Sequence, residues 1–186
     1  MQNLRYRSSV FKITASAFLI AVGILIPMVS PVRVIIEPAS FTLASHVAIF
    51  VAMFISPAVA VAVTLGTTLG FFLGGFPLII VIRAASHIIF VIIGSLYLQK
   101  IDKFNISAIH LRIFSFAVAL IHAIFELTGV MLFYFGTNVP INSDLLLWAL
   151  GFVGLGTVIH SIVDMEIANI VRLALQKQRN FKELAG

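Results

Sequence analysis

The chain has 186 residues, of which 61% are hydrophobic and only 10% charged, whereas a soluble domain carries about 25% charged residues. Too little polar surface is left to cover a water-soluble particle, so lipid must be the covering solvent. The net charge of +5 does not point to nucleic acid, because the basic residues sit at segment ends, where topology accounts for them. With no cysteine, disulfides, thiolate metal sites and cysteine nucleophiles are excluded. A helix needs about 20 apolar residues to cross the hydrocarbon. The length therefore predicts an all-α polytopic membrane protein: a bundle of about six transmembrane helices forming a single domain over residues 1–186.

The first apolar run, Val10 to Val29, follows Arg5 and Arg7. No small-residue cleavage site ends it and more spans follow, so it reads as helix 1 rather than a leader. Ser30 to Ser40 contains Pro31, Pro38, Arg33 and Glu37 and reads as a structured loop, since proline breaks helices. Helix 2 is expected over Phe41–Ile55 and helix 3 over Ala58–Phe76, with Gly66, Gly70 and Gly74 on one face. Glycines at that spacing let another backbone approach closely and predict tight packing in the bundle. Gly74-Gly75-Phe76-Pro77 predicts a turn, with the proline tolerated at the start of helix 4, Pro77–Leu98. Helix 5 follows over Ile109–Phe135 and helix 6 over Leu145–Leu175, before a basic tail with Lys177, Arg179 and Lys182.

Charge sets the expected orientation. Both termini, the helix 2–3 turn and the helix 4–5 loop carry nearly all the Lys and Arg, including Lys100, Lys103, Arg112 and Arg172. The positive-inside rule places them in the cytoplasm. Tyr134 and Trp148 then mark the outer interface and Tyr97 the inner one.

Ionisable residues inside spans cost about 2.5–3.5 kcal/mol each on insertion scales and are functional by default. Arg83/His87, His122/Glu126 and His160/Asp164 are each spaced four apart, so each pair shares a helix face. At 1.5 Å rise per residue, Arg83 and Glu126 lie roughly 9–12 Å below the outer helix ends and the three histidines roughly 15–18 Å down. Arg83, His87, His122 and Glu126, with Trp148 above and Asn142 in the outer loop, predict a pocket for a small polar solute, built from the last three helices. Asp164, Glu166 and Asn169 read as interfacial, and His46 as a loop contact. Imidazole and carboxylate four apart can also ligate a metal, but histidines equally serve as hydrogen-bond partners between helices; no metal or other cofactor is assigned. The phosphate-loop, H-E-x-x-H and G-x-S-x-G patterns are absent from the sequence, which disfavours an ATPase or hydrolase. A rival reading is an intramembrane metal-dependent enzyme using His122, Glu126, His160 and Asp164, although the same rise separates Glu126 from Asp164 by roughly 15 Å.

The predicted helices, the basic N-terminus and the loop after helix 1, together with the stretch Pro38-Ala39-Ser40-Phe41-Thr42-Leu43-Ala44-Ser45-His46 and the run Gly66 to Pro77, resemble the S components of energy-coupling factor (ECF) vitamin transporters. The resemblance covers nearly the whole chain. It implies a multi-pass subunit of the bacterial plasma membrane that binds one vitamin from outside and is not itself an enzyme. It also implies a transmembrane coupling protein and two ATP-binding subunits as partners. The alanine-x-x-x-alanine pattern that such proteins use to meet the coupling protein is matched by Ala17 and Ala21. Arg83 suits a carboxylate, hence pantothenate or niacin. Glu126 with Trp148 and histidines suits a nitrogenous ring, hence hydroxymethylpyrimidine or pyridoxine, and this second reading is favoured.

Overall fold

Among the described residues, four helical stretches are long and apolar enough to cross a bilayer: Arg5–Val29, Leu78–Gln99, Ala108–Gly136 and Ser143–Gln176. They belong to α1 (Gln2–Val29), α4 (Leu78–Gln99), α5 (Ala108–Gly136), and a final stretch made of α6 (Ser143–Trp148), a π-helical segment (Ala149–Leu155) and α7 (Gly156–Gln176). Shorter helices α2 (Val47–Ile55) and α3 (Pro57–Leu73) lie between α1 and α4, and α8 (Phe181–Ala185) closes the chain. The structure is a computed structural model that describes residues 2–36, 39–178 and 181–185. Glu37, Pro38 and Arg179, cited above in the loop, the ECF-like stretch and the basic tail, lie outside the described residues.

The sequence of α2, VAIFVAMFI, is apolar all round, and a helix of that kind is buried on every side. All nine of its residues are buried. It packs against α1, α3, α4 and α7, and Phe50, Met53 and Phe54 form the centre of the main core with Val63, Phe90, Leu98 and Met165. At about 14 Å it spans only half of a hydrocarbon layer about 30 Å thick.

The expected helix 2 loses its first turns. Phe41 and Thr42 belong instead to an antiparallel hairpin of β1 (Arg33–Ile36) and β2 (Ala39–Thr42), in which Arg33 pairs with Thr42 and Val34 with Phe41. The ladder runs on through Leu43 N–H, which donates to Val32 C=O at 3.0 Å. Ala44 then takes φ 68°, a left-handed conformation that interrupts a right-handed helix. The predicted turn at Gly74–Pro77 forms, with Gly75 at φ 74°.

Gly66 and Gly70 of α3 face Ile20 and Ile24 of α1, where any Cβ would collide with those side chains. Gly74 departs from this face and caps α3. The opposite end of the bundle is tied by buried cations. Lys103 Nζ donates to Ile55 C=O at 2.9 Å and to Ala185 C=O at 3.0 Å. Burial lowers the pKa of Lys103. Arg172 Nη1 donates to Lys103 C=O at 3.0 Å and its guanidinium lies over the Phe54 ring. Arg172 also holds Asn169 at 2.6 Å, so that pair is internal rather than interfacial.

Replacing Gly66 or Gly70 with valine should cost about 1–3 kcal/mol each by overpacking. Gly151→Ala, where a Cβ meets nothing within 4 Å, should be neutral. Thermal unfolding in detergent micelles measures both; equal melting temperatures would contradict the α1–α3 contact.

Candidate functional site

The turn between β2 and α2 is held by a carboxylate from α7. Asp164 Oδ1 accepts from Ala44 N–H at 2.8 Å, and Oδ2 accepts from His46 N–H at 2.9 Å. Oδ2 also lies 3.2 Å from His46 Nδ1 and 3.3 Å from His160 Nε2. The Ser45 hydroxyl lies 3.1 Å from His160 Nε2. An alanine at positive φ is a strained choice, and the two amides delivered to one carboxylate are what that conformation secures.

The turn swings His46 into the centre of a histidine cluster. Its ring centroid lies 4.7 Å from that of His87, 4.8 Å from His122 and 4.9 Å from His160, and His87 and His122 are 4.6 Å apart. These rings come from α4, α5 and α7, where the spacing of four places each next to its acidic or basic neighbour. His122 Nδ1 meets the Ser161 hydroxyl at 2.5 Å. The Nε2 atoms of His87 and His122 are buried and lack hydrogen-bond partners among the described residues.

One layer away, Arg83 Nε donates to Glu126 Oε1 at 2.6 Å and Arg83 Nη2 donates to Ser40 C=O at 3.1 Å. Its guanidinium sits over the Phe41 ring. The Thr157 hydroxyl donates to Glu126 Oε2, which is 3.7 Å from His122 Nε2. Both members of the ion pair are buried. Removing one partner of such a pair is far costlier than removing both.

Above these groups lies a cavity of about 670 Å³, within the usual range for small-molecule sites. Arg83, His87 and Glu126 line one wall, Thr64, Thr67, Thr68 and Phe71 of α3 another, and Arg33, Ser40 and Thr42 of the hairpin a third. Thr67 Oγ1 is buried without a hydrogen-bond partner among the described residues. The Phe71 and Phe76 rings stack with centroids 4.7 Å apart along the same lining.

The residues singled out from sequence divide into two groups. Arg83, His87, His122 and Glu126 come together. Asn142 and Trp148 do not join them: Asn142 is exposed and caps α6 by accepting from Leu145 N–H at 2.8 Å, and Trp148 is half exposed and stacks on Phe152. Neither lines the cavity. Depth along a helix does not give the rotation of Trp148 about its axis. Two further readings are corrected. His46 is the hub of the cluster rather than a loop contact, and Asp164 is fully buried beneath it rather than interfacial. The helix rise separates Glu126 from Asp164 by roughly 15 Å only for parallel helices set at equal height; both carboxylates adjoin the same group of rings. The last three helices also do not build the cavity alone, since α3 and the hairpin supply two walls. The only sequence signal for α3 was its polar run Thr64, Thr67 and Thr68 in an apolar helix. Ala17 and Ala21 both lie exposed on α1.

Compared with known proteins, the chain is 39% identical over 162 residues to the niacin transporter NiaX of Lactococcus lactis subsp. cremoris (strain MG1363), covering 87% of this chain and 73% of that protein. No family model matches the sequence, and no solved structure matches it. The chain belongs to the S components of energy-coupling factor vitamin transporters. It is a multi-pass protein of the cell membrane serving vitamin uptake.

Glu126→Gln should destabilise the fold by about 3–5 kcal/mol, because it strands Arg83 as a buried unpaired charge. Adding Arg83→Met should recover most of that loss. Melting temperatures of the single and double variants test this, and strictly additive losses would contradict a coupled pair.

Proposed function

We propose that this S component captures niacin, taking it from outside the cell into the cavity beneath the hairpin. The observation that carries the reading is the identity with a niacin transporter over most of the chain. The lean toward hydroxymethylpyrimidine or pyridoxine loses its footing with Trp148, which stands outside the cavity. Niacin is a flat pyridine ring bearing one carboxylate. Its anion needs a cation, an apolar wall and a polar partner for the ring nitrogen.

The cavity offers all three. Arg83 commits Nε to Glu126 and Nη2 to Ser40, and its Nη1 has no protein partner among the described residues. Arg33 of β1 stands exposed at the mouth. Together they receive the carboxylate. The stacked Phe71 and Phe76 supply the apolar wall. The buried hydroxyl of Thr67 gains, from the ring nitrogen, the hydrogen bond it otherwise lacks.

Six membrane segments with both termini in the cytoplasm complete the reading, residues 1–186 acting as one substrate-binding domain. In this arrangement α2 crosses only the inner half of the bilayer, and the hairpin fills the outer half above it. The chain has no phosphate loop of its own. A transmembrane coupling protein and two ATP-binding subunits supply the energy, and the exposed Ala17 and Ala21 face of α1 allows close helix approach by the coupling protein.

Calorimetry on purified protein with niacin, nicotinamide, pantothenate, pyridoxine and hydroxymethylpyrimidine tests the substrate. Niacin should bind one to one. Nicotinamide, which lacks the charge, should bind about 10–100-fold more weakly, as expected for loss of hydrogen bonds to a charged group. Thr67→Val, which keeps the side-chain shape, should weaken niacin about 3–10-fold. Tight binding of pyridoxine or hydroxymethylpyrimidine with no response to niacin would reverse the assignment.

A further inference from the structure

Asp164 and Glu126 place two buried carboxylates around the histidine cluster, and Arg83 is the one buried guanidinium beside them. Buried charge of one sign is costly unless it is compensated. The cluster itself contains the donors that a cation would need. Ligand atoms of His46, His87 and His122 all lie within 4.8 Å of one another, and all three residues are buried.

The hydrogen bonds leave the right nitrogens over. His46 Nδ1 is engaged by Asp164 Oδ2 at 3.2 Å, which leaves its Nε2 for the cluster. His122 Nδ1 is engaged by Ser161 Oγ, and its Nε2, 3.7 Å from Glu126 Oε2, has no hydrogen-bond partner among the described residues. His87 Nε2 likewise has none, and His87 lines the cavity. A metal-binding histidine characteristically gives one nitrogen to the ion and the other to a carboxylate, carbonyl or water that fixes its tautomer. His46 with Asp164 has that form, and His122 with Ser161 is a hydroxyl version of it.

We propose that His46, His87 and His122 form a binding site for a first-row divalent cation of the zinc type at the floor of the cavity. Three neutral imidazoles suit zinc, nickel or copper better than calcium or magnesium, which prefer oxygen. At zinc–nitrogen bonds of about 2.0–2.1 Å the ligating nitrogens would sit about 3.4 Å apart, so the side chains close inward by about 1 Å on loading. Three protein ligands leave a fourth position, which faces the cavity past His87. A carboxylate or pyridine nitrogen entering from above could occupy it. The site stands on the histidines alone and does not depend on the niacin reading.

The test uses full-length protein without a histidine tag, in detergent, stripped with chelator and free of vitamin. Zinc calorimetry should give one saturable site per chain, and cobalt substitution should give visible d–d absorption that saturates at the same ratio. His87→Gln should weaken zinc at least tenfold without loss of the folded state; its ring lies on the cavity wall, so this variant decides the matter if His122→Gln fails to fold. Asp164→Asn should weaken zinc about 10–100-fold, as loss of an outer-shell carboxylate does. Absence of a saturable site would overturn the proposal, and so would binding untouched by His87→Gln. Niacin titration of the same stripped sample reports on the substrate separately, so the two readings fail independently.

Discussion

The carboxylate of Asp164 is the constraint on which the site depends. It is completely buried, and it accepts from two backbone amides of a turn more than a hundred residues away in sequence. Hydrogen bonds to a charged group are worth roughly 1.5–3 kcal/mol each, enough to hold Ala44 in a conformation that L-residues avoid. From that one fixed turn follow the end of the hairpin, the start of α2 and the inward direction of His46. The contact therefore joins local backbone strain to the geometry of four rings on four separate elements.

A second polar layer works differently. Arg83 is shared between a carboxylate on α5 and a backbone carbonyl of the hairpin. Its bond to Glu126 fixes two long helices against each other, while its bond to Ser40 fastens the hairpin over the cavity. Phe41 adds to this by filling the space above Gly156, where a Cβ would meet its ring. The small residues of the final span thus serve the hairpin as much as the helices: Gly156 admits Phe41, and the π-helical segment before it carries Val153, which packs with Ala39 of β2 and Val130 of α5. Extra residues per turn in such segments change which side chains face a neighbour, and here the neighbours are the helix α5 and the strand β2.

Much of this was legible in the sequence because two periodicities are strong. Long apolar runs announced the spanning helices, and the spacing of four placed Arg83 with His87 and His122 with Glu126 on shared faces. What could not be read was rotation about the helix axis and the path of the chain between helices 1 and 2. Trp148 was assigned by depth alone, and depth does not distinguish the cavity side of a helix from the lipid side. His46 and Asp164 were missed for a related reason. Phe41–Ile55 reads as one continuous helix, and no single residue in it reports that Ala44 takes positive φ. That conformation is set by a partner on α7, so it belongs to tertiary structure and overrides local propensity. Once the turn is misplaced, His46 loses its position and Asp164 loses its partner.

The distribution of unsatisfied groups separates the two ends of the bundle. At the end holding Lys103 and Arg172, the cationic side chains are spent on backbone carbonyls and on Asn169, and they knit α2, α7, α8 and the α4–α5 loop together. At the other end, among the described residues, Thr67 Oγ1, His87 Nε2 and His122 Nε2 are buried without hydrogen-bond partners, and Thr67 and His87 belong to the cavity lining. Buried polar groups are normally satisfied, and an exception needs a cause. A bundle held only by its own contacts would have filled these positions with apolar side chains, as it did throughout α2. Their concentration around one cavity, below a hairpin that Arg83 and Phe41 help to fasten, is the pattern expected where the missing partners arrive from outside. The apolar centre supplies the stability, and the polar end leaves bonds to be made on binding.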